Sequence, residues 1–178
     1  MSAQPTPSTA LRVVDAAPEH VEQIAEIYAS VVRSSPATFD IDPPEVAWWR
    51  QALEHTDPEA GHYLLVALDP DGTVLGYAKS GLHKVRAAYA TTCETSAYVA
   101  ERARGRGVGA ALYSALFERL DSSSLRLAVA GITQPNPAST ALHLAFGFQL
   151  VGTFEGVGVK FGRPWSVTWY QRPLGSAR

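Results

Sequence analysis

The chain has 178 residues, enough for one compact domain with a real hydrophobic core. Apolar residues make up 46% and charged residues 18%, which excludes a largely disordered chain. Net charge is only −2 with no long basic run, which argues against a nucleic-acid binder or a membrane-surface binder.

Residues 1–10 are polar and rich in Ser, Thr and Pro, without the charged-then-apolar layout of a secretory signal, and are expected to be a flexible tail. No apolar run approaches bilayer length. The single cysteine, Cys93, has no intrachain disulfide partner, so a reducing cytoplasmic home is expected.

Leu11-Arg12-Val13-Val14 reads as a short strand. Ala17-Pro18-Glu19 opens a helix, with Pro in the first turn where its missing N–H does no harm. Val21, Ile24, Ala25, Tyr28 and Val31-Val32 then recur at helical spacing. Ser34 to Pro44 holds three prolines and no period, and is expected to be a loop before a second helix over about Glu45 to Leu53. Tyr63 to Leu68 is a strand, Asp69-Pro70-Asp71-Gly72 a turn, and Val74 to Ser80 the returning strand. Thr91 to Val99 is β-rich, Ala110 to Phe117 helical, and Leu125 to Ala130 a strand. Ala138 to Phe146 is a helix closed by Gly147, and Phe148 to Phe154 and Trp165 to Gln171 are the last strands. The order βαα, three strands, α, β, α, β, β predicts a single-domain mixed α/β sheet over residues 11–174, with 175–178 as a tail.

The segment Arg104-Gly105-Arg106-Gly107-Val108-Gly109-Ala110 lies between a strand and a helix. Glycines let backbone approach a ligand and adopt positive φ, and successive N–H groups at a helix start suit phosphate oxygens. Arg102, Arg104 and Arg106 add positive charge, so the segment reads as a local anion site. A Walker loop would end in Gly-Lys-Ser/Thr, whereas Gly109 is followed by Ala110-Ala111. A dinucleotide fold would put the glycines after the first strand with an acid about 20 residues on, and no acid lies at Ser124 to Leu127. A plain turn with solvated arginines remains the simplest alternative.

Strand alternation puts Glu94, Ser96 and Tyr98 on one face and Cys93, Ala97 and Val99 on the other. A mid-strand glutamate is unfavourable for strand propensity and fits a cleft better than packing, although an exposed edge position would also accept it. A carboxylate placed in a cleft can take a proton from a bound group as a general base. Glu94 is a candidate base. Cys93 competes as a covalent nucleophile, but it faces away from Glu94 and suits a small buried hydrophobe. His20, His55, His62 and His83 lie in separate segments without paired ligand spacing, so no metal site is expected and all four read as isolated surface histidines.

Arg86-x-x-Tyr89, Glu94-x-Ser96-x-Tyr98-Val99, Arg104-x-x-Gly107-x-Gly109, Asn136 with Leu142-His143, Gly147-Phe148 and Lys160-x-Gly162, in this order and spacing, resemble the GNAT superfamily of N-acetyltransferases. Within it the chain resembles the phosphinothricin acetyltransferase branch, over nearly its whole length. The resemblance implies a splayed, mostly antiparallel sheet with acetyl-CoA held across it, the pyrophosphate on residues 104–110 and further contacts from Tyr98, Val99 and Asn136. It implies Glu94 as the base, directly or through water, with attack in a ternary complex. A backbone N–H near Val99, where the family strand bulges, would receive the oxyanion. His143 would donate to the thiolate or relay the amine proton, with packing at a helix face as the alternative. Arg86 and Tyr89 would hold an acidic amino-acid substrate, Lys160 in the loop before the last strand would add a point charge, and Phe39, Trp48 and Phe161 would line the pocket. One departure is Ser166, where the branch often has aspartate.

The reading is an N-acetyltransferase for a small amino-acid-like amine: phosphinothricin, methionine sulfoximine, methionine sulfone or similar. A protein or peptide N-acetyltransferase and a non-catalytic acyl-CoA-binding regulator are the alternatives. A homodimer is implied by the resemblance, with Trp165, Trp169 and Tyr170 available for a shared surface.

Overall fold

The computed structural model describes residues 11–175. The expected tail at 1–10 and most of that at 175–178 lie outside the described residues. Seven strands form one sheet: β1 (Arg12–Asp15), β2 (Leu64–Leu68), β3 (Val74–Leu82), β4 (Thr92–Val99), β5 (Leu127–Gln134), β6 (Gln149–Lys160) and β7 (Arg163–Pro173). Four helices accompany it: α1 (Val21–Ser34), α2 (Val46–Glu54), α3 (Val108–Asp121) and α4 (Pro137–Ala145). Strand order is β1-β2-β3-β4-β5-β7-β6, and every pairing is antiparallel except the β4–β5 pair.

That one parallel pair is short. Thr92, Cys93 and Glu94 pair with Leu127, Ala128 and Val129, and the strands then part. β4 stays on β3, in unbroken register from Leu82 opposite Cys93 to Gly76 opposite Val99. β5 stays on β7, from Leu127 opposite Pro173 to Gln134 opposite Ser166. The sheet therefore opens like a V, and the gap begins at Glu94.

The helices divide between the two faces. Trp49 of α2 meets Tyr77 edge to face, with ring centroids 5.3 Å apart, and Tyr28 of α1 meets Tyr98 at 5.2 Å. Tyr77 is directly opposite Tyr98, so both rings are on the α1–α2 side. A Cβ built on Gly76, one residue back and hence on the other face, would point at Val108 of α3. α3 buries Leu112, Tyr113, Leu116, Phe117 and Leu120, and complete burial of side chains of this size stabilises by about 1.5–3 kcal/mol each. Arg172 of β7 donates to both oxygens of Asp121 at the end of α3, at 3.0 and 2.8 Å.

Several boundaries differ from expectation. The first helix is preceded by a single 3-10 turn at Pro18–His20. α3 starts at Val108 rather than Ala110, because Gly107, at φ 76°, already turns the chain into the helix. β6 continues past Phe154 to Lys160, with register shifts at Leu150/Gly152 and Phe154/Gly158 absorbing its glycines. A two-residue turn, Phe161 (φ 53°) and Gly162 (φ 71°), joins β6 to β7. Lys160 is thus the last residue of a strand, not part of a loop. Among the described residues no helix is long and apolar enough to cross a membrane.

Gly76 sets the spacing of the two central strands. A Cβ there would stand 2.7 Å from the Tyr98 carbonyl oxygen and 3.2 Å from the Val99 Cα. Both neighbours are backbone, so β4 itself must move. Gly76→Ala is expected to lower stability by about 1–3 kcal/mol in urea denaturation, and an unchanged midpoint would show that β4 yields freely.

Candidate active site

The V-shaped gap is a cavity of about 670 Å³. Thr95 to Val99 form one wall and Gly131 to Thr133 the other, with Gly105 and Gly107 at one end and Asn136 and His143 on the α4 side. Ala100 N–H bonds the Leu75 carbonyl, which fixes the alternation along β4. In an antiparallel ladder every second residue directs both backbone groups to its neighbour. Tyr98, Ser96 and Glu94 therefore face β3, and the backbone groups of Thr95, Ala97 and Val99 face the gap where β5 has left. The unbroken β3–β4 register means that the bulge expected near Val99 is absent. A free Val99 N–H arises from strand divergence instead.

At the end of the gap, Gly105 and Gly107 have φ of 74° and 76°, and an added Cβ at either would meet no atom within 4 Å. Open space and left-handed backbone together leave room for a ligand against the chain. α3 begins here with no side chain capping its N-terminal N–H groups, which makes it an anion-binding end. Arg104 and Arg106 are exposed. Arg102 is committed elsewhere, donating to the Val74 carbonyl at 3.0 Å. Gly109 packs closely on α4, where an added Cβ would stand 3.3 Å from Leu142 Cδ2. Asn136 caps α4 by accepting from Ser139 N–H at 3.1 Å. Backbone donors along a slot and an anion cradle at its end fit a long ligand that carries a pyrophosphate.

A second cavity, of about 460 Å³, lies on the α2 side of β4. Trp48, Trp49, His55, His62, Lys79 and Glu94 are in its wall. Thr95 and Ser96 line both cavities, so β4 is the partition between them. Glu94 is partly exposed here, and its Oε2 lies 3.2 Å from His83 Nδ1. The His83 ring is held edge-on by Tyr89 and Trp169, at centroid distances of 6.0 and 5.9 Å. His83 was read from sequence as an isolated surface histidine; it is mostly covered and paired with the carboxylate. His20 is also buried, accepting from Ala17 N–H through Nδ1.

Other candidate residues fall as follows. Tyr89 is exposed beside the His83 ring, and Arg86, three residues before it, is exposed as well. Phe39, in the α1–α2 loop, packs over Gly158 of β6 so closely that a Cβ there would overlap its ring. Lys160 is buried, and its ammonium donates to the carbonyls of Ser35 and Thr38 at 3.0 and 2.8 Å. That anchors the loop on β6 and engages the charge with backbone carbonyls. Ser166 donates to Glu155 Oε2 at 2.6 Å, so a neighbouring strand supplies a carboxylate beside that position. Cys93 is buried among core residues, and burial pushes its thiol up to about 12. Such a thiol is neither exposed nor ionised, which removes it as an acyl carrier.

His143 is buried between helices. Nδ1 lies 2.7 Å from the Ser139 carbonyl, an acceptor only, so this nitrogen carries the hydrogen. Nε2 then accepts from the Tyr113 hydroxyl at 2.9 Å. Phe148 and Tyr113 stand edge-on to the ring at 4.9 and 5.2 Å. Burial lowers its pKa, with the Ser139 bond opposing in part.

A V-shaped sheet with an anion cradle at the head of the helix after β4 defines an acyltransferase that takes its acyl group from a nucleotide-bearing thioester. The Acetyltransferase (GNAT) domain matches residues 14–169, and the chain belongs to that family: it is an acetyl-CoA-dependent N-acetyltransferase. It is 47% identical over 160 residues to a phosphinothricin N-acetyltransferase of Streptomyces coelicolor, covering 88% of this chain and 92% of that protein. It is 37% identical over 164 residues to the L-methionine sulfoximine/L-methionine sulfone acetyltransferase of Pseudomonas aeruginosa, covering 92% and 95%. A crystal structure of a phosphinothricin acetyltransferase from Sinorhizobium meliloti in complex with acetyl-CoA superposes with a TM-score of 0.88 at 36% identity, covering 93% of this chain and 89% of that one.

The lowered pKa of His143 has a consequence for stability. A histidine whose folded pKa lies below its unfolded value, about 6.5, contributes stability that is complete above that value and is lost as pH falls toward the folded pKa. Between pH 8 and 5, the stability of the wild type to denaturation is expected to fall more steeply than that of His143→Phe. Parallel pH profiles would show that the ring titrates freely in the fold.

Proposed function

We propose that this enzyme acetylates the primary amine of a small amino-acid-like acceptor by direct attack in a ternary complex. The carrying observation is the position of Glu94. It stands on the α2 face of the strand that separates the two cavities, at the point where β4 leaves β5. When bound, acetyl-CoA supplies an acetyl thioester, an acyl group already activated for attack by a neutral amine.

The phosphates would rest on the N–H groups of residues 104–110, with Arg104 and Arg106 adding charge. The edge of β4 at Tyr98 and Val99, with Asn136 across the gap, would hold the arm of the coenzyme, and the free Val99 N–H is a donor for the thioester carbonyl oxygen. The acceptor would enter from the α2 side, with its amine at Glu94. Glu94 would take the amine proton, directly or through a water, as the nitrogen bonds the thioester carbonyl carbon. The carbon–sulfur bond would then break, with coenzyme A leaving as a thiolate protonated from solvent. His83 would fix the orientation of the Glu94 carboxylate. Arg86 and Tyr89, exposed in the segment that follows His83, would suit the far, acidic end of an acceptor such as phosphinothricin. Methionine sulfone and methionine sulfoximine, the substrates named for the Pseudomonas aeruginosa relative, are of the same size and class. His143 we assign to packing: it is neutral, its hydrogen is engaged by Ser139, and Nε2 accepts from Tyr113. Lys160 and Phe39 we assign to holding the α1–α2 loop over the site.

We also propose a homodimer built on β6. This long strand lies at the edge of the sheet and exposes Leu150, Val151, Phe154, Val157 and Val159. An apolar edge of this length is an association surface unless it is covered. A cytoplasmic location belongs to the same reading and rests on the single buried thiol.

Thiol release from acetyl-CoA is the direct assay, with L-methionine sulfone, L-phosphinothricin, simple alkyl amines and short peptides as acceptors. Amino acids should be acetylated in preference to peptides, and a peptide-only pattern would overturn the acceptor class. Glu94→Gln should lower kcat by about 10²–10⁴-fold with acetyl-CoA affinity retained; unchanged turnover would remove Glu94 as the base. Sedimentation should give the mass of two chains. Leu150→Asp with Phe154→Asp should shift it toward one, and a monomeric wild type would end the dimer assignment.

A further inference from the structure

The acceptor cavity holds a cation that the reading above does not use. Lys79 is in β3, directly opposite Ser96, and Gly81 is opposite Glu94. Directly opposed residues share a face, so Lys79 and Glu94 are diagonal neighbours on the α2 side, ~7–8 Å apart along the sheet and within reach of a common ligand. Both line the same cavity.

Lys79 lacks an anion. Its ammonium lies 5.4 Å from the ring centroid of Trp48 and 5.9 Å from that of Trp49, and among the described residues no carboxylate is within ion-pair distance. Stacking on two indoles explains where the stem and charge rest, but an aromatic face satisfies none of the three ammonium protons. The same wall holds two more donors, the Trp49 indole N–H and the Ser96 hydroxyl, both buried without a partner. Burial pulls the Lys79 pKa below the ordinary lysine value, while Glu94 and Asp40 act in the opposite direction. The cavity therefore presents a cation among unused donors at one position and a carboxylate at the next.

We propose that Lys79 is the specificity-determining residue of the acceptor cavity and receives the carboxylate α to the amine that is acetylated. An α-amino acid carries its amine and carboxylate on one carbon, and the Glu94–Lys79 diagonal presents their two complements on one face. A simple amine has no group for Lys79. A peptide N-terminus offers only a neutral carbonyl, so Lys79 selects free amino acids over peptides. Arg86 is then left for the side-chain end. The proposal rests on the amino-acid reading and narrows it.

The test compares L-methionine sulfone with its α-carboxamide, in wild type, Lys79→Met and Lys79→Arg. Steady-state kinetics are paired with calorimetric binding of each compound to the enzyme–CoA complex. The wild type should favour the acid by about 10–100-fold in kcat/KM, the range for a hydrogen bond to a charged group. Lys79→Met should lose most of that preference through the KM and Kd of the acid. Its kcat/KM for the amide should fall far less than that for the acid, since the amide has no charge for Lys79 to hold, and its affinity for acetyl-CoA should be retained. Lys79→Arg should keep part of the preference. An unchanged acid-to-amide ratio in Lys79→Met overturns the proposal while leaving amino-acid acetylation standing. A wild-type ratio near one also overturns it, without any variant. Acetylation of peptides but of neither compound removes both this proposal and the broader reading. If Lys79→Met loses acetyl-CoA binding, Lys79→Gln is read in its place.

Discussion

The separation of β4 from β5 after Glu94 and Val129 is the constraint on which the site depends. A sheet normally consumes its backbone donors and acceptors in its own ladders, and leaving them unused is costly. Here the two strands are each secured on the outer side, β4 by β3 and β5 by β7, so the sheet survives a break at its centre. The cost is confined to one edge of each strand. Those edges are what a coenzyme needs: extended backbone groups along a slot. The end of the slot meets the α3 N-terminus because β4 runs directly into the glycine segment that starts the helix.

The same geometry sorts the polar side chains by function. Glu94 and Lys79 are charges on strands where packing would favour apolar residues. Both lie on the α2 face, and both line a cavity rather than the close-packed core. On the opposite face Cys93 is sealed among core side chains, where its thiol has no access to chemistry. Two charges that look harmless to the dimensions of the fold are thus the informative residues, and the reactive-looking thiol is the inert one. Alternation along a strand, with a period of two, makes that division.

Much of this was legible in the chain. The element order, the anion cradle at Arg104 to Gly109 and the face of Glu94 all follow from local rules of glycine, helix starts and strand alternation. The local rules failed where long-range pairing decides. β6 was expected to end at Phe154, whereas it runs on to Lys160, with register shifts against β7 taking its glycines inside the strand. His83 was read as isolated because its partner is eleven residues away, and only the β3–β4 register brings them together. Lys160 carried a family role as a substrate contact, and its burial under the Ser35 and Thr38 carbonyls has no sequence signature. Lys79 did leave a signal. It is the single charge in the apolar run Val74 to Ser80, the same kind of anomaly that drew attention to Glu94.

Loop anchoring connects these failures to function. The α1–α2 loop forms part of the gap through Ser35, Pro36 and Ala37, and contributes Phe39 against β6. Its backbone is held by a buried ammonium from the last residue of β6, and Tyr28 ties Thr38 and Asp40 by hydroxyl bonds of 2.6 and 2.7 Å. A loop with three prolines and no period has little reason to stay in one place by itself. Lys160 therefore acts without lining the gap itself, by holding the loop whose Ser35, Pro36 and Ala37 line it. β6 is also the strand that exposes an apolar edge. In the proposed dimer the covered edge is that of the strand from which Lys160 reaches, so the assembly and the loop that lines the gap depend on one element.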